Sequence, residues 1–320
     1  MLSRRDVLLT AGAAALISTP SRAADYPTRP VHIVNPTAPG GSSDVLARLF
    51  GEVLGDRLGQ TFIVDDRPGA GSNIAADIVH RAPADGYTLF AISKGAVLSN
   101  LLYDHLDFDF ARDFVPVAPF GVAPLVMLVH PSVPAKTLAE FIAYCKANPG
   151  KINYGSAGNG SDPHLAGELF KQLAGVEMTH VPYRGGALAF TDLLAGSVQL
   201  MFSNLPSADY QKDGRLRGLA VSTLKRSPAY PDLPAVAEFV PGYDNGVWFG
   251  LAAPTGTPPE VIARLNATMS ASLKDPKLLQ GLKVLNAEPM PMTSAEFGEV
   301  FKQELVRWGK VIAAAHIKPE

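Results

Sequence analysis

Two stretches of the chain could each hold an anion. Ile33 to Phe50 reads IVNPTAPGGSSDVLARLF, and Ile152 to Phe170 reads INYGSAGNGSDPHLAGELF. In each, a β-like run enters a Gly/Ser-rich loop and leaves through an Asp-containing helix start into a core face carrying Leu-Ala and then Leu-Phe. A helix start behind a small-residue loop presents backbone N–H groups that no helical carbonyl accepts, at the positive end of the helix dipole. One such loop alone is an ordinary strand-to-helix turn. Two matching loops, at the carboxyl ends of parallel strands in two lobes, would face each other across a cleft and suit an anion with two ends.

Other chemistry is poorly served. Gly69-Ala70-Gly71-Ser72-Asn73-Ile74 and Gly158-Asn159-Gly160-Ser161-Asp162-Pro163 both lack the last glycine of a dinucleotide fingerprint, and Gly150-Lys151 is followed by Ile152 rather than Ser or Thr. Tyr154-Gly155-Ser156-Ala157-Gly158 comes within one residue of a hydrolase nucleophile elbow, but Tyr154 stands where the first glycine belongs. The base nearest in sequence, His164, is in the first helical turn, where a solvated residue or a polar contact is the plainer reading. The seven histidines are dispersed, and the single Cys145 supports neither an intrachain disulfide nor a thiolate zinc site. Cys145 reads as a small buried hydrophobe and Trp248 as core packing. Arg184 could take a carboxylate bidentately or serve a salt bridge.

The elements that position these loops alternate between strand and helix, the mark of α/β layering with largely parallel sheets. Strands are expected at Val31 to Val34, Thr61 to Val64, Tyr87 to Ile92, Lys151 to Tyr154, Val176 to Pro182, Val198 to Phe202 and Leu216 to Val221. Helices are expected at Asp44 to Leu58, Asn73 to His80, Thr137 to Asn148, Ala187 to Ala195, Leu205 to Lys212, Pro258 to Leu273, Pro276 to Lys283 and Ser294 to Ala315. Thr137 with Glu140, and Thr293 with Glu296, have capping-box spacing. Val115 to His130, two apolar runs broken at Gly121 and Pro124, reads as a crossing into a second lobe, and Val247 to Ala253 as the return. Lobe 1 is then discontinuous, residues 24–122 with 247–320, and lobe 2 is residues 123–246.

Composition narrows the function. At 320 residues, 47% hydrophobic and 18% charged, the chain can bury two cores. Lys+Arg 28 against Asp+Glu 30 leaves no basic footprint for nucleic acid. Residues 1–23 have a charged start with Arg4 and Arg5, an apolar stretch from Val7 to Ile17, and Ser21-Arg22-Ala23 at the cleavage positions, as in a twin-arginine-like export signal. That stretch is shorter than the roughly 18 apolar residues a membrane span needs. Its removal takes three arginines and one aspartate, so the acidic excess grows from 2 to 4. The mature chain is expected in the periplasm and not embedded in a membrane.

The chain resembles the periplasmic solute receptors of tripartite tricarboxylate transporters, the Bug-type receptors. The likeness rests on Tyr26-Pro27 with Arg29-Pro30, Pro39-Gly40-Gly41-Ser42-Ser43-Asp44 with Ala47-Arg48, Arg67-Pro68-Gly69-Ala70-Gly71-Ser72-Asn73 and Pro83-Ala84-Asp85-Gly86-Tyr87-Thr88. It continues through Tyr154-Gly155-Ser156, Gly160-Ser161, His164-Leu165, Val181-Pro182-Tyr183-Arg184-Gly185-Gly186, Asn204-Leu205-Pro206-Ser207 and Trp248-Phe249-Gly250. What the resemblance implies is a two-lobed flytrap that closes on a carboxylate. The first loop would hold one carboxylate, partly through ordered water, and the second loop the rest. The ligand residues expected are Thr37, Ala38, Gly40, Gly41, Ser42, Ser43 and Asp44, then Ser156, Ala157, Asn159, Gly160, Ser161 and His164, with Arg184 and Ser203. Two departures bear on the ligand: Thr37 stands where the family's first loop carries an aromatic, and Ser203 where many members have an Asp that could pair with an ammonium. A non-amino dicarboxylate, tricarboxylate or aromatic carboxylate is therefore expected, bound without cofactor or metal by a monomer and passed to membrane transporter subunits. The alternatives are a periplasmic sensor feeding a membrane kinase and a hydrolase centred on Ser156 and His164.

Overall fold

The alternating pattern resolves into two five-stranded sheets in a computed structural model that describes residues 26–103, 105–204 and 207–318. The expected export signal and Leu205-Pro206 lie outside the described residues. In chain order the strands are β1 (Val31–Asn35), β2 (Phe62–Asp66), β3 (Thr88–Ser93), β4 (Phe114–Ala123), β5 (Val126–Val129), β6 (Asn153–Ser156), β7 (Thr179–Pro182), β8 (Leu200–Ser203), β9 (Arg217–Val221) and β10 (Val247–Pro254). The helices are α1 (Ser42–Leu58), α2 (Asn73–His80), α3 (Lys94–Leu98), α4 (Phe110–Asp113), α5 (Leu138–Ala147), α6 (Asp162–Ala174), α7 (Gly186–Ala195), α8 (Ala208–Lys212), α9 (Pro259–Ser272), α10 (Pro276–Val284) and α11 (Ser294–Ala314).

One sheet runs β2-β1-β3-β10-β4 and the other β7-β6-β8-β5-β9. In the first, β1 pairs in parallel with β2 and β3, while β10 is antiparallel to β3 and β4. The second repeats the plan: β6 is parallel to β7 and β8, and β5 is antiparallel to β8 and β9. Four strands of each sheet therefore point one way, and the single reversed strand in each, β10 or β5, is the one that has just crossed between the lobes. The cores form as the spacing of apolar residues requires. Leu46, Ala47, Phe50, Val53 and Leu54 make the buried stripe of α1, and Phe50 stacks on Phe120 of β4 with ring centroids 4.7 Å apart. In the other lobe Phe170 of α6 meets Phe202 of β8 and Tyr243. Cys145 is fully buried in α5, and burial pushes its thiol up to about 12.

The crossings are tied to each other. Only Pro124 and Leu125 separate β4 from β5, and Leu125 exchanges hydrogen bonds with Ser222: its N–H donates to Ser222 Oγ (2.9 Å), and its carbonyl accepts from Ser222 N–H (2.8 Å). Asn245, just before β10, donates its N–H to Ser222 O (2.7 Å) and accepts from Ser222 Oγ at its own carbonyl (2.8 Å). Helix α11, closed at its start by the Thr293–Glu296 capping box, packs on β4 and α3 of one lobe and on α6 of the other.

Candidate functional site

The two Gly/Ser loops are the same structure built twice. Gly40 (φ 84) and Gly160 (φ 73) both take the left-handed conformation that a side chain would strain. Gly40 N–H donates to Asp44 Oδ2 (2.8 Å), and Gly160 N–H donates to His164 Nδ1 (3.0 Å), each reaching four residues ahead. Gly41 N–H bonds Ala38 O and Ser161 N–H bonds Gly158 O, both at 3.2 Å; Val45 N–H bonds Gly41 O and Leu165 N–H bonds Ser161 O, both at 2.9 Å. Gly41 (φ −70, ψ 160) and Ser161 (φ −64, ψ 155) begin α1 and α6, and neither helix has a side-chain cap. In each loop one side chain restrains the turn from inside the helix, so the N–H groups of the first helical turn are left for an outside acceptor.

The first loop is held from below. Asp44 is 3% exposed and pairs with Arg48 Nε (2.6 Å), whose Nη2 reaches Asp66 (2.6 Å); Asp66 in turn accepts from Asn35 Nδ2 (2.7 Å). Asn35 also donates to Thr37 O and Oγ1, at 3.0 and 3.1 Å. Asp44 and Thr37 are thus committed to the loop itself. Ala38 and Gly40 are exposed, Gly41 and Ser42 half-buried, and Ser43 Oγ is buried with no partner among the described residues.

The second loop rests on a histidine stack. His164 and His180 lie 3.7 Å apart with rings 6° from parallel, and His180 Nε2 is 2.6 Å from Ser156 Oγ. Burial, with Lys171 adding its charge, depresses His164 to about 4. Burial and then the neighbouring His164 depress His180 to about 4. Both rings are neutral near pH 7, which is what allows His164 Nδ1 to accept from Gly160. Next to them Tyr154 OH donates to Glu168 (2.6 Å), which pairs with Lys171 at 2.7 Å. Of the two readings of His164, solvated residue or polar contact, the structure has the polar contact: the residue is 5% exposed and braces the loop. Ser161 Oγ is likewise turned inward, donating to Gly158 O at 2.7 Å. Ala157 and Ser161 are half-buried and Asn159 is exposed at the turn.

A Ser–base contact therefore exists, but with His180 rather than His164. Ser156 is fully buried, and its Oγ is also engaged with the N–H and carbonyl of Gly158, each at 3.1 Å. A nucleophile must reach a carbonyl carbon, and this hydroxyl is closed in by its own loop.

What brings the lobes together is a cluster that the sequence reading missed. Lys94, at the start of α3 and fully buried, pairs with Asp162 of α6 (2.9 Å), donates to Asn245 Oδ1, and lies 5.0 Å from the Trp308 ring. Asn245 Nδ2 reaches Asp162 O at 3.3 Å. A Cβ on Gly160 would stand 2.4 Å from Leu102 Cδ1, so the second loop is already seated on the first lobe. Lys94 follows β3 directly and Asp162 opens α6, so both sit at the carboxyl ends of parallel strands. That position was the available signal for Lys94; the alternation Thr179-His180-Val181 gave none for His180. Arg184 is exposed and makes no ion pair among the described residues, Ser203 is buried at the end of β8, and Trp248 is core, stacked on Phe301 with centroids 5.3 Å apart.

Among the described residues no three His, Cys, Asp or Glu side chains are placed to hold a metal, and no helix is long and apolar enough to cross a membrane. A family model described as Tripartite tricarboxylate transporter family receptor matches residues 46–317. Protein BugT of Bordetella pertussis is 35% identical over 94% of this chain and 93% of its own. The solved structure of R. palustris Rpa4515 with adipate is 40% identical, with a TM-score of 0.79 over 92% of this chain and 100% of that one. That of MatC from Rhodopseudomonas palustris with bound malate is 31% identical, with a TM-score of 0.74 over 90% and 100%.

Proposed function

Because the chain belongs to the tripartite tricarboxylate transporter receptor family, we propose that it captures a small carboxylate between its two lobes and delivers it, in the periplasm, to membrane transporter subunits. The observation that carries this reading is the duplicated loop: two uncapped helix starts with matching hydrogen bonds, one from each lobe. Each offers first-turn N–H groups and the positive end of a helix dipole to one end of an anion. Ala38, Gly40, Gly41 and Ser42 form the accessible edge of the first loop; Ala157, Asn159 and Ser161 form that of the second. Asp44, Ser156 and His164 position these backbones rather than touch ligand. Adipate and malate are the ligands in two relatives, and both are non-amino dicarboxylates. Ser203 puts no carboxylate at the end of β8 to meet an ammonium, which favours the same class here. Residues 24–122 with 247–320 act as one lobe and 123–246 as the other, and the protein works as a monomer that binds without turnover.

A thermal-shift panel of adipate, malate, citrate, benzoate and glutamate tests the reading. At about 100-fold over the dissociation constant a ligand adds roughly 2.7 kcal/mol of stability. One or more non-amino carboxylates should raise the transition by several degrees and be recovered unchanged by mass spectrometry. Stabilisation by glutamate alone refutes the ligand class, and consumption of a bound ligand refutes the binding-protein reading.

A further inference from the structure

Among the described residues, Arg67 and Arg184 are the two arginines whose guanidinium has no ion pair, hydrogen bond or ring contact. Both are exposed, and each follows a strand that neighbours a loop strand: β2 lies beside β1, and β7 beside β6. The turns that carry them are a second duplication. Arg67 N–H donates to Asn35 O (2.7 Å) at the end of β1, and Tyr183 N–H donates to Ser156 O (3.2 Å) at the end of β6. Two residues later each chain passes through a glycine of nearly the same conformation, Gly69 (φ 131, ψ 162) and Gly185 (φ 132, ψ 153). Arg67 stands first in its turn and Arg184 second in its own, so one free guanidinium is carried beside each anion-holding loop.

The turn after β2 also borders the meeting of the lobes. A Cβ on Gly71 would stand 2.9 Å from Tyr103 Oη, and Leu102, the preceding residue, is the one that a Cβ on Gly160 would meet. Leu102 and Tyr103 thus touch the β2–α2 turn of one lobe and the second loop of the other.

The charge of the two arginines is mostly uncompensated. In the segments and first helical turns that follow β1, β2, β3, β6, β7 and β8, the lysines and arginines among the described residues are Arg67, Lys94 and Arg184, and Lys94 is spent on Asp162. Of the acids there, Asp44 pairs with Arg48 and Asp162 with Lys94, while Asp209 in the first turn of α8 has no ion pair. The whole chain has 30 acids against 28 bases. Its distant field therefore repels an anion, and a local positive pair at the loops reverses that.

We infer that Arg67 and Arg184 recruit the ligand electrostatically, drawing di- and tricarboxylates toward the loops ahead of monocarboxylates. The inference rests on the cleft reading and deepens it: the loop N–H groups set how long a carboxylate stays, and the arginines set how fast and how highly charged a ligand arrives. A guanidinium that grips is itself held, as Arg48 is between Asp44 and Asp66. These two are held by nothing, which suits a charge acting at range.

Steering scales with ligand charge and is screened by salt, over about 30 Å at 10 mM and about 4 Å at 0.5 M. Affinities from calorimetry and rates from stopped-flow tryptophan emission, with adipate, citrate and benzoate as probes, test it. Arg67→Gln/Arg184→Gln should slow adipate association and weaken its affinity about fivefold at 10 mM salt and less than twofold at 0.5 M, with dissociation almost unchanged. Citrate should lose more than adipate, and benzoate only about twofold. Arg67→Lys/Arg184→Lys should keep the wild-type values, and all variants the wild-type melting temperature. Affinities indifferent to the double Gln change, a loss equal for benzoate and citrate, a loss that survives 0.5 M salt, or a failure of lysine to restore would each overturn the inference while leaving the cleft reading intact. If the wild type binds none of the three probes, the cleft reading loses its support and this inference falls with it.

Discussion

Acid should unfasten the second loop before it harms the rest of the fold. His164 and His180 are both held near 4, against 6.5 for a free imidazole. A folded-state value below the unfolded one means that, as pH falls below about 6.5, the unfolded chain takes up protons that the folded chain refuses. Stability is thus fully present above that pH and lost progressively down to about 4. For His164 alone the cost of moving from pH 7 to pH 5 comes to about 2 kcal/mol. The half-buried His180 adds less, about 1 kcal/mol after allowance for solvent screening. The two together correspond to a fall in melting temperature of about 5 °C for a chain of this size. Protonation also turns His164 Nδ1 from acceptor to donor, so the Gly160 bond is lost and ligand affinity should fall over the same window. Urea denaturation at pH 7 and pH 5, compared between the wild type and a His164→Gln/His180→Gln double variant, isolates the effect. If the two proteins lose the same stability on acidification, the stacked pair does not titrate in this range and the reasoning is wrong.

Further outcomes follow from the loop and interlobe geometry. Gly41→Val should lower affinity for the strongest ligand of the panel by more than tenfold in calorimetry, because a Cβ there meets Thr37 Oγ1 at 3.2 Å and Ala38 O at 3.3 Å and so displaces the loop that presents the N–H groups; undiminished affinity would remove the first loop from the site. Gly40→Ala should cost about 1 kcal/mol in urea for its left-handed backbone alone, whereas Gly160→Ala should cost more, since its Cβ also meets Leu102; equal losses would mean that the second loop is not seated on the first lobe. Lys94→Met should destabilise the ligand-free protein by about 3 kcal/mol by leaving Asp162 unpaired, and should enlarge its radius in small-angle scattering. A Lys94→Met/Asp162→Asn variant should recover part of that stability; no recovery would assign the loss to packing around Lys94 instead.

The elements around the loops were readable because each carried its own local signal. Helix α1 begins at Ser42, two residues before the expected Asp44, since the Gly/Ser turn itself supplies its start; α5 and α11 begin where their threonine caps were read. The duplicated loop was legible as a repeated string, but its internal economy was not. Asp44 and His164 stand at matching positions with unlike side chains, and only geometry reveals that both accept from a glycine N–H four residues earlier. Helix α3 was missed because five residues of Lys-Gly-Ala-Val-Leu carry no period to detect. Lys94 was missed with it, since a buried lysine is recognised by its partners, and those lie in Asp162 and Asn245, far along the chain. The reversed direction of β5 and β10 is likewise a property of the crossings, invisible to any reading of one strand at a time.

The placement of β10 also sets an order of events for a newly made chain. Its eight residues fill the slot between β3 and β4, so β4 has no neighbour in its own sheet until Val247–Pro254 has emerged. The other sheet needs nothing beyond Val221 and can close first, although it lies in the middle of the chain. Until then β1, β2 and β3 form only a parallel fragment with one face of β3 unpaired, an edge that would accept a stray strand. The last quarter of the chain, which contributes none of the loop residues, thus decides when the first loop acquires a rigid base and the protein becomes competent to bind.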